Sequence, residues 1–240
     1  MMFKGKRTLI MAASIVLSLC LTVFGTLAYL SDSHTVVNTF TVGNVDITVN
    51  ETEVDPNGEP TGNEERVEAN EYHLMPGHTY TKDPTMTVHP GSEHSYVRMV
   101  VTLNKLEELK AIACLGGEDF TIENIISGWD SEIWSLHATT EDEESNTVTY
   151  EFRYHETVDA SELEEDLVLE PLFTEISMPG EITGEELATI ADLELTIHGH
   201  AIQVLGFDDA DEAWTAFDAQ VGTGSEPEGG NEPAGGNGGE

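Results

Sequence analysis

Apolar and polar positions fall into three regimes along the chain. From Thr8 to Leu30 no residue is charged, and this run follows Lys4, Lys6 and Arg7. Thr26 and Ala28 put small residues at positions −3 and −1 of a cut between Ala28 and Tyr29, the layout of a secretory signal. The same run is long enough to cross a bilayer as a helix, so a retained anchor is the competing reading. From Tyr29 to Val49 the apolar residues alternate: Val36, Phe40 and Val42, then Val45, Ile47 and Val49 beyond Gly43-Asn44. Period-two alternation with β-branched residues predicts a strand, interrupted by a turn or bulge.

The third regime mixes both periods. Strands are predicted over Thr85–Val88, Tyr96–Leu103, Ile133–Ala138, Thr147–Tyr154 and Leu193–Leu205, with extended pieces at Leu167–Phe173 and Glu175–Met178 broken at Pro171. Val97, Met99, Val101 and Leu103 form one apolar face, as do Val148, Tyr150, Phe152 and Tyr154. Helical spacing predicts Asn104–Cys114 with Asn104 as N-cap, a short helix at Asp119–Ile126, and one turn at Ser161–Glu165. Thr183 and Glu186 read as a capping box before Leu187–Ala191. Asp208–Gln220 reads as an amphipathic helix with Ala213, Trp214 and Phe217 inward. About eight strands with short inserted helices predict a mostly β fold, an antiparallel β-sandwich. Two sheets of about four strands would make it a jelly roll.

The expected organisation is a signal peptide at 1–28, one β-sandwich domain at 29–221, and a disordered Gly/Glu/Pro-rich tail at 222–240. Within the domain, residues 50–71 read as an acidic flexible loop.

Several motifs carry a family resemblance. Gly25-Thr26-Leu27-Ala28-Tyr29-Leu30-Ser31-Asp32 resembles the junction of SipW-dependent signal peptides. Phe40-Thr41-Val42-Gly43-Asn44-Val45-Asp46-Ile47, Met75-Pro76-Gly77 with Thr81-Lys82-Asp83, and Ala201–Phe207 with Glu212-Ala213-Trp214 resemble, in order, elements of the TasA/camelysin family. The resemblance implies a jelly-roll fold and a secreted fibre subunit of the extracellular matrix or surface of a Gram-positive bacterium. It implies assembly by donation of the new N-terminal strand to the next subunit, with Val36, Phe40, Val42, Val45, Ile47 and Val49 as the strand's apolar residues. Its implied partners are other copies of itself, a SipW-type signal peptidase and an assembly-initiating matrix protein.

Charge narrows the function. The precursor has 9 Lys+Arg against 46 Asp+Glu, and loss of the three basic residues before the cut leaves −40. Such a chain repels its own copies and is kept from nucleic acid and anionic lipid, so membrane contact is expected only before signal cleavage. Divalent cations or acid should relieve the repulsion. The acidic turn Glu141–Glu144 could hold calcium weakly, but it lacks the alternating ligands and Gly of a dedicated loop, and no cofactor is assigned. Cys20 leaves with the signal; Cys114, alone thereafter, is expected in the core.

Camelysin-like relatives are described as metallopeptidases, which gives a rival function. A zinc protease helix wants His-Glu-x-x-His, and no such pattern is present. His198-Gly199-His200 has strand spacing that puts both rings on one face, so the two are weak metal candidates. The expectation is therefore a non-enzymatic structural subunit, with a surface metallopeptidase and a monomeric secreted binding module as alternatives.

Overall fold

The computed structural model describes residues 45–221 of the 240-residue chain. The fold is mostly β and antiparallel, as the alternation predicts. The strands are β1 (Ile47–Thr52), β2 (Arg66–Val67), β3 (Thr79–Thr81), β4 (Thr85–Val88), β5 (Ser95–Asn104), β6 (Ile126–Ser127), β7 (Trp134–Asp142), β8 (Thr147–Tyr154), β9 (Leu167–Val168), β10 (Glu175–Ser177) and β11 (Leu195–Gln203). Three short helices are inserted: α1 (Leu106–Ala111), α2 (Gly184–Thr189) and α3 (Ala210–Val221).

The strands divide among three sheets rather than two of four. Their orders are β2-β1-β4-β9, β3-β10-β6 and β11-β5-β8-β7. The third is the largest, and its register fixes which residues share a face. Leu195, Ile197, Gly199 and Ala201 pair with Leu103, Val101, Met99 and Val97. Val148, Tyr150 and Phe152 continue that face on β8. This face is the core: Val97, Met99, Val101, Leu103, Val148, Tyr150 and Phe152 are all buried. The first sheet packs on it through Ile47, Val49, Met86 and Val88. The approach is closest at Gly199, where a Cβ would stand 2.4 Å from Val49 Cγ2 and 2.9 Å from Met86 Cε. Only glycine lets β11 lie that near β1 and β4.

Several local expectations need correction. Residues 50–71 are tied into the fold rather than looping free of it: β1 runs on to Thr52, and Glu51 and Thr52 pair with Val67 and Arg66 of β2. The Thr81-Lys82-Asp83 turn supplies the ties. Asp83 accepts from the Thr52 amide (2.7 Å) and hydroxyl (2.8 Å) and pairs with Arg66 at 3.0 Å. Lys82 reaches the buried Glu51. A composition rule reads acidic residues as solvated; here the scarce cations of the chain are spent on holding this segment.

Helix α1 begins two residues after Asn104. Lys105 takes a left-handed conformation (φ 60°) instead, with no side-chain cap. The cap comes from across the fold: Asn146, in the β7–β8 turn, accepts from the Glu107 amide at 2.8 Å. The helix expected at Asp119–Ile126 is a pair of 3-10 turns, Gly117–Asp119 and Ile122–Asn124, followed by β6. No helix forms at Ser161–Glu165. Cys114 is exposed, not core. It lies in a 3-10 turn whose inward positions are taken by Ile112 and Leu115, so the helical register that placed it inside does not continue that far. The capping box of α2 forms as expected, with Thr183 Oγ1 accepting from the Glu186 amide at 3.2 Å.

Candidate functional site

Residues assigned to assembly lie partly outside the described residues: Ala28, Tyr29, Val36, Phe40 and Val42 do so. Val45 precedes β1, and Ile47 and Val49 sit in β1 of their own chain, paired with Val88 and Met86 of β4. Ile47 and Val49 therefore belong to the subunit's own sheet among the described residues.

Strand β11 ends its sheet and pairs only with β5 among the described residues. Beside its first residues, Leu195 and Thr196, lies an open trough of about 650 Å³ whose walls join Leu103, Ile176 and Met178 with Lys82, Asp192 and Glu194. Asn70, Lys82 and Leu195 also line a smaller pocket of about 90 Å³ that reaches Val49 and Ile197. Leu103, Ile125, Ile176 and Met178, which line the trough, are buried. An extended segment added at this edge would donate and accept backbone hydrogen bonds with β11, and its side chains beside Leu195 and Thr196 would meet the trough. The opposite edge is less inviting. Along β7, Ala138 to Asp142 are exposed and include Glu141 and Asp142, charges that discourage pairing.

The outer face of the large sheet carries the histidine pair. His198 is exposed, whereas His200 is half-buried under α3. Its ring lies 4.9 Å from Phe217, and its Nδ1 accepts from Arg98 Nε at 3.2 Å. With Nδ1 used as acceptor, the neutral ring carries its proton on Nε2, and neither nitrogen presents a free lone pair. A guanidinium beside the ring also repels a cation. The pair therefore does not fit a metal, and among the described residues no group of three or more His, Cys, Asp and Glu is arranged to hold one.

Arg98 is the residue around which this face is built, and the alternation of β5 gave no hint of it. It is 4% exposed. Its guanidinium lies over Trp214 at 4.3 Å and Phe217 at 5.1 Å, and it pairs with Glu151 at 3.3 Å and with Asp218. Helix α3 is thus pinned through both its aromatic residues and its carboxylate. A second pair, Arg153 to Asp211 at 2.5 Å, holds the start of the helix.

Burial, followed by the Arg98 charge and then His198, pushes the His200 pKa down to about 4. Asp218 and Glu151 oppose that shift. A histidine harder to protonate folded than unfolded destabilises the fold as pH falls through the window between its unfolded value near 6.5 and about 4; above 6.5 the contribution is fully present. His200→Gln should remove this dependence, and with the shift discounted for the ring's partial exposure the wild type should lose roughly 2 kcal/mol more than the variant between pH 7 and 4. Denaturation midpoints of both proteins across that range check it; parallel profiles would refute it.

Residues 4–57 match the family model described as camelysin metallo-endopeptidase, a stretch of less than a quarter of the chain that ends just past β1. No curated protein and no solved structure matches the chain. Among the described residues, no helix is long and apolar enough to cross a membrane. Over that stretch the chain is similar to the camelysin family.

Proposed function

We propose that this protein is an exported structural subunit that polymerises by strand donation: residues 29–44 of one copy enter the seam beside β11 of the next. The observation that supports the reading is that seam: the β11 edge, which has no strand partner among the described residues, with a mixed polar and apolar trough at its start beside Leu195 and Thr196. The donor has the matching pattern, with Val36, Phe40 and Val42 on one face of an extended chain. Its sixteen residues, extended, reach roughly 50 Å, enough to leave one subunit and lie along another. Signal cleavage at Ala28–Tyr29 would be the step that frees the donor, since a strand tethered to the bilayer cannot enter a neighbour. The family match supports a place at the cell surface. The partners are further copies of the chain, a SipW-type peptidase, and an initiating matrix protein; no cofactor is required, and calcium would act only by screening.

The description of the matching family favours a second reading, a surface metallo-endopeptidase. The two are separated by one set of preparations. The chain starting at Tyr29 should form regular filaments in negative-stain electron microscopy, more readily with calcium or at pH 5 than without. Deleting Tyr29–Thr39 should abolish filaments and leave a soluble domain. Normal filaments from the deleted protein would overturn strand donation. Stoichiometric zinc with chelator-sensitive proteolysis would establish the peptidase instead.

A further inference from the structure

Three side chains meet where the end of β1, the segment after β2 and the Thr81-Lys82-Asp83 turn converge. Glu51 is 3% exposed and Lys82 is 7% exposed. Lys82 Nζ donates to Glu51 Oε2 at 2.5 Å, and Asn70 Nδ2 donates to Glu51 Oε1 at 2.9 Å. One carboxylate thus holds a primary amine and a primary amide side by side, each on its own oxygen. The amide is also oriented. Asn70 Nδ2 donates to the Thr52 carbonyl at 2.9 Å, and Asn70 Oδ1 accepts from the Val54 amide at 2.9 Å. Flipping the amide would set oxygen against oxygen and N–H against N–H, so the backbone of β1 and its continuation dictates which end of Asn70 faces Glu51. Tyr72 covers the site: Lys82 Nζ stands 5.5 Å from its ring centre, and its hydroxyl is anchored on the Thr81 carbonyl at 3.1 Å.

A buried Lys–Glu pair stabilises weakly at best, because desolvation offsets most of the attraction. A buried lysine, a carboxylate and an oriented asparagine amide have a use that an ion pair alone does not. They hold every group needed for amide exchange: a nucleophile, a proton carrier touching both nitrogens, and an N–H aimed at the oxygen on which charge develops.

We propose that Lys82 and Asn70 join in an intramolecular isopeptide bond, with Glu51 as the proton carrier. The ammonium passes a proton to Glu51, which leaves an amine and a carboxylic acid. The amine lone pair attacks Asn70 Cγ and forms the Nζ–Cγ bond. Negative charge gathers on Oδ1, where the Val54 N–H donates. Collapse of this intermediate breaks the Cγ–Nδ2 bond, and Glu51 returns its proton to the departing nitrogen. The new nitrogen sheds its surplus proton through the same carboxylate to the ammonia, which leaves as ammonium. A lysine ammonium and a primary amide thus become a secondary amide and an ammonium ion. Nothing is oxidised or reduced, no co-reactant is needed, and Glu51 ends as it began. The pocket of about 90 Å³ lined by Glu51, Asn70 and Lys82 gives the ammonium a way out.

The bond closes a covalent ring from Asn70 to Lys82 and replaces a reversible ion pair with a link that neither acid nor denaturant breaks. It holds β3 to the β1–β2 corner in a chain that has no disulfide among its described residues. The inference stands independently of strand donation.

The test is mass spectrometry of the purified protein, incubated folded at neutral pH, then denatured and digested with a glutamate-specific protease. Cleavage after Glu68, Glu71 and Glu93 separates Ala69–Glu71 from Tyr72–Glu93. The expected result is that these two fragments remain joined, lighter than their sum (as intact peptides) by one ammonia. Intact mass alone does not decide, because succinimide formation at Asn57-Gly58 or Asn237-Gly238 also releases ammonia. Lys82→Arg and Asn70→Ala should each give separate fragments, and Glu51→Gln should leave the bond unformed in folded protein. Separate fragments at their sequence masses from the wild type would overturn the proposal, and a bond persisting in Glu51→Gln would overturn the role of Glu51.

Discussion

Replacing Arg98 with Met should loosen helix α3 from the large sheet at a cost of about 3 kcal/mol, the lower end of what breaking a buried pair produces. The guanidinium is almost wholly enclosed, and it faces two aromatic rings, two carboxylates and His200. Met keeps much of the volume, so lost packing is small; Glu151, 17% exposed, loses one of its two cations and keeps Arg153 at 2.6 Å, which holds the cost at the lower end. Asp218 is 57% exposed and rehydrates readily, which keeps the cost from the upper end of the range. Arg98→Lys should recover little, because an ammonium cannot stack on Trp214 and fork to Glu151 and Asp218 together. Hydrogen exchange should show the loss first in α3, ahead of β5 and β8. Unchanged exchange in α3 with a stability within 1 kcal/mol of wild type would refute this account.

Trp134→Ala should cost about 4 kcal/mol and lower the melting temperature by roughly 10 °C. Trp134 opens β7 and is fully buried. Its Nε1 donates to the Glu170 carbonyl at 2.9 Å, its ring meets Tyr154 at 4.9 Å between centres, and its own carbonyl accepts from Trp129 Nε1 at 2.6 Å. Truncation leaves a large hole and the Glu170 carbonyl without its donor. Trp134→Phe separates these effects: it fills most of the hole and removes only the N–H, so it should cost about half as much. Calorimetry of both variants checks the ratio; equal losses would mean that the hydrogen bond, not the volume, dominates.

Much of the fold was legible because its cause is local. Alternation in β5 and β8 put Val97, Met99, Val101, Leu103, Val148, Tyr150 and Phe152 inside, and all are buried. A strand with one wet face and one dry face must alternate, so the pattern records burial directly. The capping box at Thr183 and Glu186 and the inward Ala213 and Trp214 were legible for the same reason, since helix geometry spans only a few residues.

What misled the sequence reading was long-range partnership. Asn104 looked like a cap, but Asn146 does the capping from a turn 39 residues away from Glu107. Cys114 looked buried until the helix tightened into a 3-10 turn and its register stopped. The acidic stretch after Val49 looked mobile because composition counts charges and not the partners waiting for them. Arg66, Lys82 and Asp83 reach it from 14 to 31 residues away. The candidate sites have the same origin. Among the described residues β11 ends its sheet with a trough beside its first residues, and the Glu51–Asn70–Lys82 cluster forms because three separate segments converge. By itself the sequence determined the β character, the faces of the long strands, the acidic surface and the family signature of the N-terminal stretch, all of which follow from neighbours along the chain. Which edge stays open, which lysine meets which carboxylate, and how Arg98 comes to lie under a helix were decided only by the tertiary structure. Those contacts join residues whose spacing along the chain carries no record of their meeting.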